Sequence, residues 1–386
     1  MAVLTGMRTG FSDTEIKRRV VTDAIYMIDW TEAALLKYFG VDNEGMFNFV
    51  NFPNRQYEWL QDSMAPTVDA LNEGGNIDDN QTEIDVDNGT YFRRGDIILI
   101  NSERMWVSNV VGNALTVTRG FQGTTPAIAL NDAVVTIVGN ARPEGEEATL
   151  SPTTTVTKLY NMRQILETTI KVSRSQQLYK DYGISDTLSY HLAKAIGGEK
   201  IGTKNKAGEL AMKLSNIFYT GIRNVASTNA LPDAAGGANY FITTNEIVKG
   251  GAALQRKDIV DLLQTCYEAG GNPSTLVCGS WVRRKISQMF EGLVRTDRSE
   301  KDGGSVIDTI ITEFGDINVL WDRWCPPGSA FLVEDGKLGW VTIDPFDVRE
   351  LPSTGDYVWS EVVGEYGFVL VNENGMGKIT GIATTK

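Results

Sequence analysis

Histidine is nearly missing from this chain: one residue, His191, in 386. That scarcity excludes a His-rich metal centre and an H-E-x-x-H helix, both of which need several imidazoles. It also leaves a serine or threonine nucleophile to rely on a lysine base, and no lysine stands out for that role. His191 follows Leu188 by three residues on the apolar side of a helical period, which suits a packed or interface histidine better than a catalyst. Cysteine is scarce too. Cys266, Cys278 and Cys325 form no C-x-x-C pair, which argues against a disulfide scaffold and for a reducing compartment. No run approaches the roughly 18 apolar residues of a membrane span, and Met1–Gly10 has no signal-peptide core.

Positive charge is also short. Lys and Arg number 36 against 49 Asp and Glu, a formal charge of −13, whereas nucleic-acid affinity comes mostly from a basic footprint. The deficit is concentrated: no Lys or Arg lies between Arg55 and Arg93, while nine acids run from Glu58 to Asp87. Such a one-signed stretch repels polyanions and stays solvated. What is present is ordinary globular material, 42% hydrophobic and 22% charged, in a chain long enough for two or three units of about 100–200 residues each.

Ser12 with Glu15 forms a capping-box pattern that opens a helical period through Ile16, Val20, Ile25 and Ile28 toward Leu35 and Leu36. A polar arm of about ten residues precedes it. Residues 40–80 are irregular, with Phe47, Phe49, Phe52, Tyr57 and Trp59 set in an acidic background. From Thr82 to about 142 short alternating runs are broken at Asn88-Gly89, Asn101-Ser102 and Gly112-Asn113, the pattern of a compact β-barrel or sandwich. The spacing then predicts extended chain over 154–173, a helix capped by Ser185, an interruption at Gly197–Gly208, and a renewed helical period from Leu210 to Phe218. Helices at 257–269 and 280–294 alternate with strands at 275–279, 305–324, 329–334 and 338–343, and the tail is strand. The class is α+β with an inserted β-module.

Several motifs imitate binding sites. "GMGKIT" lacks the first phosphate-loop glycine, Asn372 standing there, and Ile379 replaces the Ser or Thr after Lys378. "EIDVDNG" has Asn88 where a calcium loop needs glycine, so Glu83, Asp85 and Asp87 read as a solvated strand face, with weak cation binding as the alternative. "ALTVTRGFQGTTPAIAL" has the glycines and threonines of a phosphate cradle but lies between strands rather than before a helix. Arg119 there either braces the turn or meets a neighbouring subunit. Lys200, Lys204 and Lys206 suit a solvated kink better than a DNA contact. Trp321, Asp322, Arg323 and Trp324 ahead of "CPPG" have two readings: an interface anchor, or a strand end with alternating faces.

Taken in order, "EIKRRVVTDAIYMID", "QYEWLQDSMAP", "FRRGDIILINSERMWVSNVVGNALTVTRGFQGTT", "ARPEGEEA", "NMRQILETTIKVS", "INVLWDRWCPPGSAFLVEDG" and "VGEYGFVLVNENGMGKITGI" span residues 12 to 382. This series resembles the major capsid proteins of tailed bacteriophages with the Hong Kong 97 fold, in the branch with a small β-domain inserted in the extended loop. The resemblance implies an N-terminal arm and helix at 1–49, an extended loop at 50–80 and 143–175, and an inserted β-barrel at 81–142. It places a peripheral domain with a spine helix at 176–249 and 346–386, and an axial domain at 250–345. Gly197–Gly208 departs from the unbroken spine helix that the family would have.

The resemblance further implies self-assembly into pentamers and hexamers of an icosahedral head enclosing double-stranded DNA, made in the host bacterial cytoplasm and resident in the virion. The shell needs no catalysis, cofactor, metal or membrane. Portal, scaffolding and cement proteins join copies of the chain and non-specifically held DNA as partners. No leading scaffold segment is expected to have been removed. Candidate subunit-interface residues are Arg18, Arg19, Trp59, Asp62, Arg119, Arg163, Trp321, Asp322, Arg323 and Trp324. Three rivals remain: an encapsulin-like compartment with an enzyme cargo, a soluble enzyme with a β-barrel appendage, and a tail or fibre component.

Overall fold

A computed structural model describes residues 34–39, 49–50, 54–179, 186–196, 208–290 and 309–384. The chain divides into two compact units, residues 60–159 and the remainder. The expected helix from Ser12 is described only in its last turn, Ala34–Tyr38, and residues 40–48 and the expected interruption at 197–207 lie outside the described residues.

The first unit is a closed β-barrel. Its six strands run in the order Val68–Ala70, Val134–Asn140, Asp96–Ile100, Glu103–Val111, Ala114–Thr118 and Glu83–Asp85, each antiparallel to its neighbours. The outermost strands meet through a Leu71–Val86 bridge, with Asn72 N donating to Asp85 O at 2.9 Å and Asp87 N to Ala70 O at 3.0 Å. Closure removes the free edges that a short sheet would expose. The period of two drives one face of each strand inward, and Leu71, Ile77, Ile84, Ile98, Met105, Leu115 and Val135 are buried completely. The barrel therefore begins at Val68, earlier than the boundary expected at residue 81. "APTVDA" carries no turn-bounded alternation to announce a strand.

Among its described residues the second unit holds two larger sheets, besides the strand pair Gln56–Gln61 and Thr157–Met162 at its boundary. One has the order Phe49–Val50, Leu338–Leu351, Tyr357–Leu370 and Gln164–Ser173. The other has the order Glu246–Val248, Gly377–Thr380, Ala330–Val333, Thr275–Cys278, Gly315–Trp321 and Thr309–Thr312. Strands expected in separate peripheral and axial blocks thus share this second sheet. The Glu209–Thr220 helix joins the two sheets: Phe218 meets Phe368 of one at 5.2 Å and Phe331 of the other at 6.2 Å, edge to face in both cases. A second core, under the Arg256–Glu268 and Ser280–Phe290 helices, gathers Leu262, Cys266, Val282, Ile317 and Leu332.

Two local expectations change. The Thr187–Ile196 helix is capped by Asp186, which accepts from Leu188 N at 3.1 Å and Ser189 N at 3.2 Å; Ser185 lies outside the described residues. The Ser189 hydroxyl, followed by these N–H groups, holds the Asp186 carboxyl below its ordinary pKa. His191 is exposed, its ring edge-on to Tyr190 at 5.3 Å, so of its two readings the packed one falls and the interface one stays open. Ala195 is the buried residue of that helix, so the face that packs is narrower than the apolar periodicity suggests.

Candidate intersubunit surfaces

The ten interface candidates fall into three groups. Arg18 and Arg19 lie outside the described residues. Four others are engaged within their own chain. Trp59 is buried, stacked on Tyr57 and edge-on to Phe241 at 5.5 Å. Arg163 bonds Glu365, a cross-strand neighbour near the start of its sheet. Asp322 is buried, accepting from the Tyr219 hydroxyl at 2.8 Å and from Trp324 N at 3.3 Å. Burial first, then the negative charge of Asp322, pushes the Tyr219 phenol well above its ordinary pKa.

Arg119 braces its own turn, the first of its two readings. Every N–H of its guanidinium is used inside the barrel. Nε and Nη2 each reach a Glu103 carboxylate oxygen at 2.7 Å, Nη1 reaches Asp78 O at 2.6 Å and Gln81 O at 2.9 Å, and Nη2 also reaches Ala127 O at 2.7 Å. Glu103 is matched in turn: Gly120 N and Ala127 N each donate to it at 3.0 Å. Burial alone would raise the Glu103 pKa, but Arg119 and these two N–H groups hold it below the usual value. Gly120 enters the turn at φ 65°, where a Cβ would meet Thr124 O at 2.9 Å. The Arg119 guanidinium is closed into an internal clamp, with no donor of its own left for an anion or a neighbour.

Asp62, Trp321, Arg323 and Trp324 make up the third group. Asp62 is exposed and accepts from the Thr154 hydroxyl at 3.0 Å, tying the outgoing segment of the loop to the returning one. Trp321 and Arg323 are exposed on either side of buried Asp322, and Trp324 is half-buried, so the strand-end alternation is real. Arg283 lies 5.7 Å from the Trp321 ring. Outward-facing Trp321 and Arg323 therefore stay available for contact.

The most exposed apolar side chains were not singled out from the sequence. Met64 is 94% and Leu150 92% exposed, each alone in a polar, proline-containing stretch, "DSMAPT" and "EATLSPT". Leu60, Val156, Ile311 and Ile222 are also exposed. The signal was there: an isolated large apolar residue where no strand or helix period would bury it. Catalytic features are lacking among the described residues, where no group of three or more His, Cys, Asp or Glu could hold a metal. All three thiols are buried, and burial pushes Cys266 up to about 11 and Cys278 up to about 12. No described helix is long and apolar enough to cross a membrane.

This architecture is that of Hong Kong 97-type capsid subunits. The chain is similar to the capsid of cyanophage A-1(L), with TM-score 0.59 and 12% identity, covering 97% of this chain and 100% of that one. It is similar to the capsid of a native GTA particle, with TM-score 0.53 and 10% identity over 98% and 100% of the two chains. It is also similar to a chain from Mycobacterium phage Adephagia, with TM-score 0.51 and 13% identity over 97% and 98%. Curated protein sequences give no match. The chain belongs to the SU10 major capsid protein family, which matches residues 4–383. It is a phage major capsid protein, a self-associating structural component of the virion and not an enzyme.

Proposed function

We propose that this subunit assembles in the host bacterial cytoplasm into pentamers and hexamers that close an icosahedral head around double-stranded DNA. In this reading residues 1–49 form the arm, and the segments on either side of the barrel form the extended loop. The Glu209–Thr220 helix and the four-stranded sheet belong to the peripheral domain, and the six-stranded sheet forms the axial domain. A portal protein fills one vertex, and scaffolding and cement proteins act during and after assembly.

The observation that carries the reading is the match of residues 4–383 to the SU10 major capsid protein family. Met64 and Leu150, almost fully exposed on segments outside the barrel, are side chains that a shell subunit can bury against the next copy. Head-to-tail contacts that close a ring repeat one such interface around an axis. The formal −13 charge lets DNA slide past the wall without condensing on it. Sedimentation and electron microscopy of the purified chain test this: closed particles of megadalton mass are expected, with nuclease-protected DNA in heads from infected cells. A monomer that persists under every assembly condition, or particles filled with a protein cargo, would refute it.

A further inference from the structure

The barrel has two unlike outer faces. Alternate residues of each strand point away from its filled interior. On Glu83–Asp85, Ala114–Thr118 and Glu103–Val111 the outward residues include Glu83, Asp85, Thr116, Thr118 and Ser108, the polar surface expected in water. On the other three strands they are apolar. Thr136 lies opposite Val68 on one side and Leu99 on the other, and Val134 lies opposite Ala70. Cross-strand neighbours of this kind touch one another. Leu130 extends the strip at one end and Val138 at the other, and Val68, Leu130, Val134 and Val138 are each between 48% and 66% exposed. Every residue from 54 to 179 is described, so no undescribed part of the barrel covers them. A continuous apolar strip outside a barrel whose core is already filled marks a protein-contact surface.

Charge selects the partner. Residues 60–159 hold fourteen acids and six bases, a net −8. Three of those bases are spent on acids of the same unit: Arg93 on Asp96 at 3.2 Å, Arg94 on Glu146, and Arg119 on Glu103 at 2.7 Å. Asp132 is exposed two residues before Val134. A second barrel would therefore bring −8 against −8, and the rest of the chain is acidic too, with thirty-five acids against thirty bases. Like charge across a contact disfavours both pairings, and the same charge repels nucleic acid.

We propose that the Val68–Val134–Val138 strip is the docking surface of a separate protein of the particle, net basic and with an apolar contact face, and not of another copy of this chain. The proposal rests on the shell-subunit reading above, and gives the cement protein of that reading a place and a chemistry. The apolar centre supplies the affinity, and the acidic surround supplies the direction of approach and a dependence on salt.

Hydroxyl-radical footprinting read by mass spectrometry tests it on three forms of the full chain: unassembled, assembled from the purified chain alone, and in heads from infected cells. Leu130, Val134 and Val138 should oxidise equally fast in the first two and several-fold more slowly in the heads. The protection should disappear when the heads are washed at high salt and one net-basic polypeptide leaves them. Val134→Lys should leave the melting of the barrel and the self-assembly of the purified chain unchanged, while its heads lack that polypeptide. Val138→Thr, which keeps the branched shape, should weaken retention less. Slow oxidation already in particles of the purified chain overturns the proposal, because another copy then covers the strip. Fast oxidation in the heads overturns it because nothing does, and protection by a net-acidic polypeptide overturns its charge argument. All three leave the shell reading standing. Wild-type chain that never forms particles removes both.

Discussion

Replacing Arg119 by alanine should cost the barrel more than any other single side-chain truncation within it. The change removes both arms of the fork on Glu103 and uncovers the carbonyls of Asp78, Gln81 and Ala127. Glu103 is 1% exposed, so its carboxylate keeps only Gly120 N and Ala127 N. Breaking a buried ion pair by deleting one partner costs about 3–5 kcal/mol. A domain of this size has of order 5–15 kcal/mol in total. At about 4–8 °C per kcal/mol, the barrel should melt at least about 12 °C earlier. Trp106 is the only tryptophan between 60 and 159, so the difference in fluorescence between the chain and its Trp106→Phe variant reports this unit among the eight tryptophans. Arg119→Lys keeps the charge but cannot make the fork, and should fall between wild type and alanine. A loss below about 1 kcal/mol for Arg119→Ala, the level of an exposed pair, would sink the argument.

The same clamp sets a pH dependence. The Glu103 pKa is lowered in the folded state, so its contribution is fully present above the unfolded value of about 4.3. It is lost as pH falls through the lower folded value. The Trp106 transition of the wild type should therefore weaken on acidification below about pH 4, and Glu103→Gln should flatten that dependence. An equal slope in both proteins would assign the acid sensitivity to other carboxylates.

Gly367→Ala should destabilise the larger unit by about 2–4 kcal/mol in denaturant titration, because its Cβ would lie 2.3 Å from the Tyr57 hydroxyl that bonds both N and O of Phe368. The loss for Tyr57→Phe with Gly367→Ala should be less than the sum of the single changes, since both disturb one contact. Tyr219→Phe should cost about 1–3 kcal/mol by taking a donor from buried Asp322. Native protein should give no fast reaction with a thiol reagent near neutral pH, and three thiols should titrate after unfolding; a fast-reacting thiol in the folded chain would contradict the burial of Cys266, Cys278 and Cys325.

Much of the fold was legible because its signals are local. Alternation at Ile84 and Val86, and again at Met105 and Val107, forecast barrel strands whose inward residues are buried. Val68–Ala70 escaped because three residues carry no period; only the partner strand at Thr136 makes them a strand. Asp186 escaped as a cap because an adjacent serine offers the same chemistry one residue earlier. The internal partners of the interface candidates were not legible, for a physical reason. Arg, Trp and Asp are chosen by partner surfaces, but the same forked donors and large rings also close cores. Only the partner across the fold separates the two uses, and for Arg119 that partner, Glu103, is sixteen residues away on another strand.

That ambiguity has a direction. In a subunit that must fold before it assembles, polar groups able to bond strongly are best satisfied internally, since an unpaired one would bind whatever it met first. Arg119, Asn161 and Asp322 follow this rule. The Asn161 amide alone bonds Gly236 O at 2.9 Å and Phe368 O at 2.8 Å, while its oxygen takes the N–H groups of Gly236 and Met162. On the shell reading proposed above, contacts between copies are left to exposed side chains such as Met64, Leu150, Trp321 and Arg323. Each is too weak to hold two subunits wrongly, but a standard interface of about 1,600 Å² multiplied around a closed shell holds them in register. Errors in such a shell can dissociate before it closes. The residues to look for at its seams are therefore those left exposed, Met64, Leu150 and Trp321 among them.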